Sequence, residues 1–232
     1  MLDVHLPHKS LHGLREFFIH LFTITVGLLI ATQIESFVEW RHHVHLAEEA
    51  RASLRKEIES NVKYLQMGQT GLKQWQTETQ ANLAVLERME DQPKNSKGQP
   101  VSLMVDATIT GAFDTAWKTA QSTGALAYMP YEEAQRYSLI YMALASLKEA
   151  QGKPLEDMTA ISGLAAKFHM QAGDTTIVAK QLTADQASAL AEKYGQLDQH
   201  LGYASLTLHI CIETSQAFLE NRAIPARFSD KD

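Results

Sequence analysis

FFIHLFTITVGLLIATQIESFV, running from Phe17 to Val38, is the stretch on which the reading of this chain turns. Its only ionisable members are His20 near one end and Glu35 near the other. At ~1.5 Å per residue, a helix of this length reaches ~33 Å, enough to cross the hydrocarbon core of a bilayer. A cleaved leader has a shorter apolar region, of ~7–15 residues, followed by a small-x-small site. Here the apolar run continues through Thr32-Gln33-Ile34, and Glu35, Ser36 and Phe37 follow it instead of an A-x-A pattern. The expectation is an uncleaved single-pass membrane helix over 17–38, preceded by a short tail (1–16) and followed by a polar helical domain (39–232).

Within that span Thr23, Gly27 and Ala31 are spaced by four, and Glu35 prolongs the row. Small residues let a second helix approach closely, so such a ridge is a candidate membrane helix contact. A carboxylate near the hydrocarbon edge also favours water or a partner. Orientation stays open on charge alone, because Lys9 and Arg15 precede the span while Arg41, Arg51, Arg55 and Lys56 follow it.

Net charge is −6 over 232 residues, without clustered Lys or Arg, which argues against nucleic acid as a partner. The single cysteine, Cys211, excludes an internal disulfide framework and any thiolate zinc cluster. From Trp40 through Val44, Ala47, Ala50, Leu54, Ile58, Val62 and Leu65, apolar residues recur at steps of three and four. They form a stripe that no breaker separates from the span. The membrane helix is therefore expected to continue as a stalk, interrupted at Gly68 and Gly71, with the pattern resuming over Leu72, Trp75, Thr79, Leu83, Leu86 and Met89.

Asp91–Pro100 (DQPKNSKGQP) reads as a loop. Shorter helices are expected over Ala112–Ser122, from Pro130 to Gln151-Gly152, and from Pro154 to before Gly173. The last helix opens on a capping box, Thr183 with Gln186, and keeps a 3.5-residue beat to Phe218. Only VSLMV (Val101–Val105) and DTTIVAKQ (Asp174–Gln181) look extended. The class is all-α: a membrane helix continuing into a stalk, and an antiparallel helical bundle with shorter helices packed along it.

No phosphate loop and no nucleophile elbow occurs, and the adjacent acidic pairs do not face one another on a helix. Catalysis is not expected. His42, His43 and His45, with Glu39-x-x-His42, hint at metal. A di-iron site needs that motif twice, and a second one is lacking. His42, His45 and Glu49 share one helical face, but polar residues at headgroup level are the simpler account, and the same holds for His5, His8 and His12. His20 offers an imidazole to a haem but sits only four residues into the span, where a histidine is inexpensive. No metal and no cofactor is expected. Cys211 lies on an apolar stripe and reads as a small buried hydrophobe. Trp117, Tyr128, Tyr131 and Tyr137, with Phe113 and Tyr141, form the densest aromatic group, read first as core and second as an aromatic pocket.

Two stretches, Phe17–Trp40 (FFIHLFTITVGLLIATQIESFVEW) and Thr115–Tyr141 (TAWKTAQSTGALAYMPYEEAQRYSLIY), resemble an uncharacterised family of bacterial single-pass envelope proteins with an N-terminal anchor and a helical extracytoplasmic domain. Together they cover 51 of 232 residues. The resemblance implies a bacterial inner-membrane location, with the short N-terminus inside and the bundle in the periplasm. It implies no activity, cofactor or catalytic residue. The expected role is a non-enzymatic accessory or scaffolding subunit that partners other transmembrane subunits or a second copy. A periplasmic sensor or ligand-binding bundle is the alternative.

Overall fold

The computed structural model describes residues 13–91, 101–107, 109–179 and 181–224, apart from the side chains of Glu90 and Asp91. His5, His8, Lys9 and His12, most of the tail and most of the Asp91–Pro100 loop lie outside these residues. The chain is all-α with a small sheet. Helix α1 runs from Leu14 to Asp91. Strand β1 (Val101–Met104), helix α2 (Thr115–Ser122), a 3-10 turn (Ala125–Tyr128) and helix α3 (Tyr131–Lys167) follow. Strands β2 (Gln171–Ala172) and β3 (Thr176–Ala179) then lead into helix α4 (Ala184–Leu219). By internal contacts the chain divides into two units, one ending at Glu49 and one beginning at Ala50.

In the second unit, α1 buries two rows in strict heptad register. One is Leu54, Asn61, Gly68, Trp75, Asn82 and Met89; the other is Ile58, Leu65, Leu72, Thr79 and Leu86. A repeat of seven keeps one seam facing its neighbours along the whole helix. Contacts set the directions. Arg55 donates to the Leu219 carbonyl (3.2 Å) and Gln80 to Asp198 (3.1 Å), so α4 runs antiparallel to α1. Arg51 meets Glu133 and Glu57 meets Tyr141, so α3 runs parallel to α1. His200 lies 2.6 Å from Asp157 and the Cys211 thiol 3.0 Å from the Ala143 carbonyl, so α3 and α4 are antiparallel.

Two expected breaks are absent. Gly68 and Gly71 lie inside α1, and α3 crosses Gly152 and Pro154 without ending. An interior proline removes a hydrogen bond and costs ~3 kcal/mol. Pro154 is buried, and α3 holds Ala150 and Ile161 buried on either side of it. Packing of the long α3–α4 seam therefore offsets the local penalty. At Gly68 the reason is steric: a Cβ there would stand 1.6 Å from Thr110 Oγ1, so the residue is a point of close passage rather than a helix stop.

The capping box forms as expected. The Thr183 hydroxyl accepts from the Gln186 N–H (3.2 Å) and the Gln186 side chain accepts from the Thr183 N–H (3.0 Å). Gly124, at φ 73°, takes the left-handed conformation that closes α2, where a side chain is disfavoured. The two extended stretches meet in one antiparallel sheet of order β1-β3-β2, with Val101 opposite Ala179 and Met104 opposite Thr176. Strand β2, two residues long, carries too short a pattern to be read from sequence.

Candidate functional site

Two places follow from the sequence: the apolar part of α1 and the aromatic group around α2.

One helix among the described residues is long and apolar enough to cross a membrane, and it begins near the N-terminus of the sequence. The most apolar window of that helix is 0% buried. Phe17, Phe22, Ile24, Leu28, Ile34 and Val38 are exposed around its whole circumference. Aromatic pairs flank the run: Phe17 with Phe18 (centroids 5.7 Å apart) and Phe37 with Trp40 (5.9 Å). Its three threonine hydroxyls are satisfied internally. Thr23 donates to the Ile19 carbonyl (2.9 Å), Thr25 to Leu21 (2.8 Å) and Thr32 to Leu29 (3.0 Å). In lipid each polar group needs a partner, and back-bonding of this kind supplies one without a second chain. Thr23, Gly27, Ala31 and Glu35 are all exposed, and a Cβ at Gly27 would meet nothing within 4 Å.

His42 and His43 have ring centroids 6.1 Å apart, and His45 lies 3.1 Å from Glu49, both of that pair exposed. No group of three or more His, Cys, Asp or Glu is arranged to hold a metal among the described residues. His20 is exposed on the apolar helix.

The aromatic group divides. Trp117 stacks on Tyr141 with centroids 4.9 Å apart and planes 9° from parallel. The Tyr141 hydroxyl donates to Glu57 Oε1 (2.7 Å), and Glu57 Oε2 accepts the Ala116 N–H (2.8 Å). That carboxylate thus serves the first turn of α2 in place of the Asp114 side chain, which makes no cap bond and instead pairs with Lys118 (2.8 Å). Tyr137 packs on Phe218 (4.9 Å), whose ring lies 5.1 Å from the Arg136 guanidinium carbon. Beside it Arg51 forks onto Glu133, Nε–Oε1 2.7 Å and Nη2–Oε2 3.0 Å. Tyr128 and Tyr131 are exposed. Of the four candidates, then, Trp117 and Tyr137 sit in packed aromatic pairs and Tyr128 and Tyr131 face solvent.

Burial raises the phenol pKa of Tyr141, and the hydrogen bond to Glu57 pushes the same way. Burial first, then Glu133, raises that of Tyr137. Burial alone pushes the Cys211 thiol up to about 12, which makes it a poor nucleophile near neutrality.

The residues that organise this region, Arg51, Glu57, Asn61 and Asn82, escaped the sequence reading. Asn61 and Asn82 are buried on the apolar seam of α1. The Asn82 side chain donates to the Met104 carbonyl (2.8 Å) and accepts its N–H (3.1 Å). Asn61 does the same to Phe113 (2.8 and 2.7 Å). An asparagine in heptad register with leucines was the available signal, because a buried amide needs partners for both of its ends. No protein-family profile, curated protein or solved structure matches this chain.

Proposed function

We propose that this chain is a membrane-anchored, non-enzymatic helical protein that acts as an accessory or scaffolding subunit of a larger assembly. The observation that carries the reading is the all-round exposure of the apolar turns of α1 between Phe17 and Val38. A soluble monomer rarely exposes an apolar patch beyond a few hundred Å². A lipid bilayer removes that cost, and the aromatic pairs at both ends suit the headgroup level. The row Thr23, Gly27, Ala31 and Glu35 is the surface assigned to a partner helix, either another transmembrane subunit or a second copy. Placement in a bacterial inner membrane with the bundle in the periplasm rests on the resemblance of Phe17–Trp40 and Thr115–Tyr141 to envelope proteins.

Carbonate washing of membranes from expressing cells tests the anchor: the full chain is expected in the pellet, and its release into the supernatant overturns the reading. For the contact, Gly27→Leu with Ala31→Leu is expected to abolish recovery of co-purifying subunits in mild detergent. Unchanged recovery removes the ridge as the contact.

A further inference from the structure

Two turns of α1 hold the start of α2. Glu57 and Asn61 stand four residues apart and Tyr64 follows three later, so the three share one stripe of the helix. Asn61 binds the Phe113 backbone at both its N–H and its carbonyl. Tyr64 meets the Phe113 ring edge-on, with centroids 5.4 Å apart, and Glu57 accepts the Ala116 N–H. The other oxygen of Glu57 accepts the Tyr141 hydroxyl, and Tyr141 carries Trp117 stacked on its ring. One carboxylate therefore ties α2 to α1 directly and to α3 through a stacked pair.

Apolar burial adds little to this hold. From Thr115 to Met129 only Ala120, Ala125 and Met129 are buried, and two of these are alanines. Hydrophobic stabilisation scales with the apolar area removed from water, so a methyl side chain contributes little of it. An eight-residue helix is also too short to persist alone, since isolated helices below ~12 residues are marginal in water. The bundle beneath differs: α3 and α4 bury Ile140, Leu147, Leu197 and Leu201 almost completely. A segment with few buried apolar groups opens at a lower free energy than the core on which it rests.

We propose that residues 111–130 form a flap that opens independently of the bundle of α1, α3 and α4, with Glu57 as its latch. Its two ends are suited to this. A Cβ at Gly111 would meet nothing within 4 Å, so no neighbour obstructs rotation there, while Thr110 just before it packs against Gly68. Pro130, at ψ 139°, is the last non-helical residue before α3. The latch is polar and directional, so water can replace its hydrogen bonds when the flap lifts. Opening uncovers the Glu57 carboxylate, the Asn61 amide and the ring face of Tyr141, which the closed flap shields.

Residue-resolved amide exchange on the full chain in detergent tests the latch. The Ala116, Lys118 and Thr123 amides report on the flap, since they bond Glu57, the Asp114 carbonyl and the Thr119 carbonyl. In the unsubstituted protein their protection factors are expected to be at least tenfold lower than those of Leu197 and Leu201, with a weaker dependence on denaturant. Glu57→Ala is expected to lower them at least tenfold further and to leave Leu197 and Leu201 unchanged. Glu57→Gln keeps an acceptor for the Ala116 N–H and is expected to restore most of the lost protection. If the flap amides of the parent chain open at the same free energy and denaturant dependence as Leu197 and Leu201, the proposal is overturned, even where the alanine variant fails to fold. So it is by a change under twofold in Glu57→Ala, by an equal loss at Leu197 and Leu201, or by a glutamine variant no better protected than the alanine one.

Discussion

Asn61 and Asn82 stand three heptads apart on α1 and bind the backbone of Phe113 and Met104 through the same pair of amide contacts. Each pairs both polar groups of one backbone residue, on the free side of β1 at Met104 and outside any strand at Phe113. Replacing Asn82 by Leu keeps the volume but leaves the Met104 N–H without its acceptor. Leaving such a group unpaired costs roughly 1–3 kcal/mol, whereas the Met104 carbonyl keeps the Tyr194 hydroxyl as a donor (3.4 Å). A loss of about 1–3 kcal/mol is expected in urea unfolding, and a loss below 1 kcal/mol contradicts the role given to the amide.

Gly68→Ala should be among the most damaging small substitutions in the chain, because the new methyl would overlap the Thr110 side chain. Overpacking of this kind costs typically 1–3 kcal/mol. Thr110→Gly in the same chain removes the obstructing atoms, so the double variant is expected to recover part of the loss in thermal melts. Additive damage would locate the cost elsewhere.

Tyr137, Tyr141 and Tyr194 all have phenol pKa values raised, chiefly by burial, above the ordinary 10.0. The unfolded chain loses these protons near pH 10, whereas the folded chain keeps them. Their contribution is therefore fully present below that value and falls as pH rises through it, since the folded state then binds more protons. Spectrophotometric titration should show these three of the seven tyrosines ionising only with unfolding. Smooth ionisation of all seven in the folded chain would contradict the burial described.

Cys211 should resist thiol reagents at neutral pH and react stoichiometrically in denaturant, because it is 1% exposed and its proton is held by burial. Labelling of the native chain at the denatured rate counts against that packing.

Ser215 carries a buried hydroxyl with no hydrogen-bond partner among the described residues. Ser215→Ala removes an unsatisfied group and raises helix propensity, so it is expected to be neutral or to stabilise by up to ~1 kcal/mol. A loss above 1 kcal/mol would show that the hydroxyl has a partner.

The class, the apolar span and the seams of α1 and α4 were legible because heptad-spaced residues such as Leu54, Ile58, Leu197 and Leu201 declare a buried face by periodicity alone. The capping box at Thr183 was legible because its partner is three residues away. Pro154 and Gly68 misled for one reason: local propensity argues for a stop, but contacts distant in sequence decide the outcome, a seam in one case and Thr110 in the other. The backbone contacts of Asn61 and Asn82 were illegible for a related reason. Asn61 finds its partner 52 residues away and Asn82 22 residues away, and no local pattern names either. In the aromatic group, composition gave the members, but the split between packed Trp117 and Tyr137 and exposed Tyr128 and Tyr131 depends on helix rotation.

The outer rim of β1 has a further consequence for self-association. A lone strand edge invites pairing with another molecule and so seeds fibrils. At Met104 the groups that point away from β3 are already occupied by Asn82, while the opposite border of the sheet is only two residues long. A helix side chain thus blocks lateral growth where the ladder would otherwise extend, and crowding many copies side by side leaves this small sheet little to template.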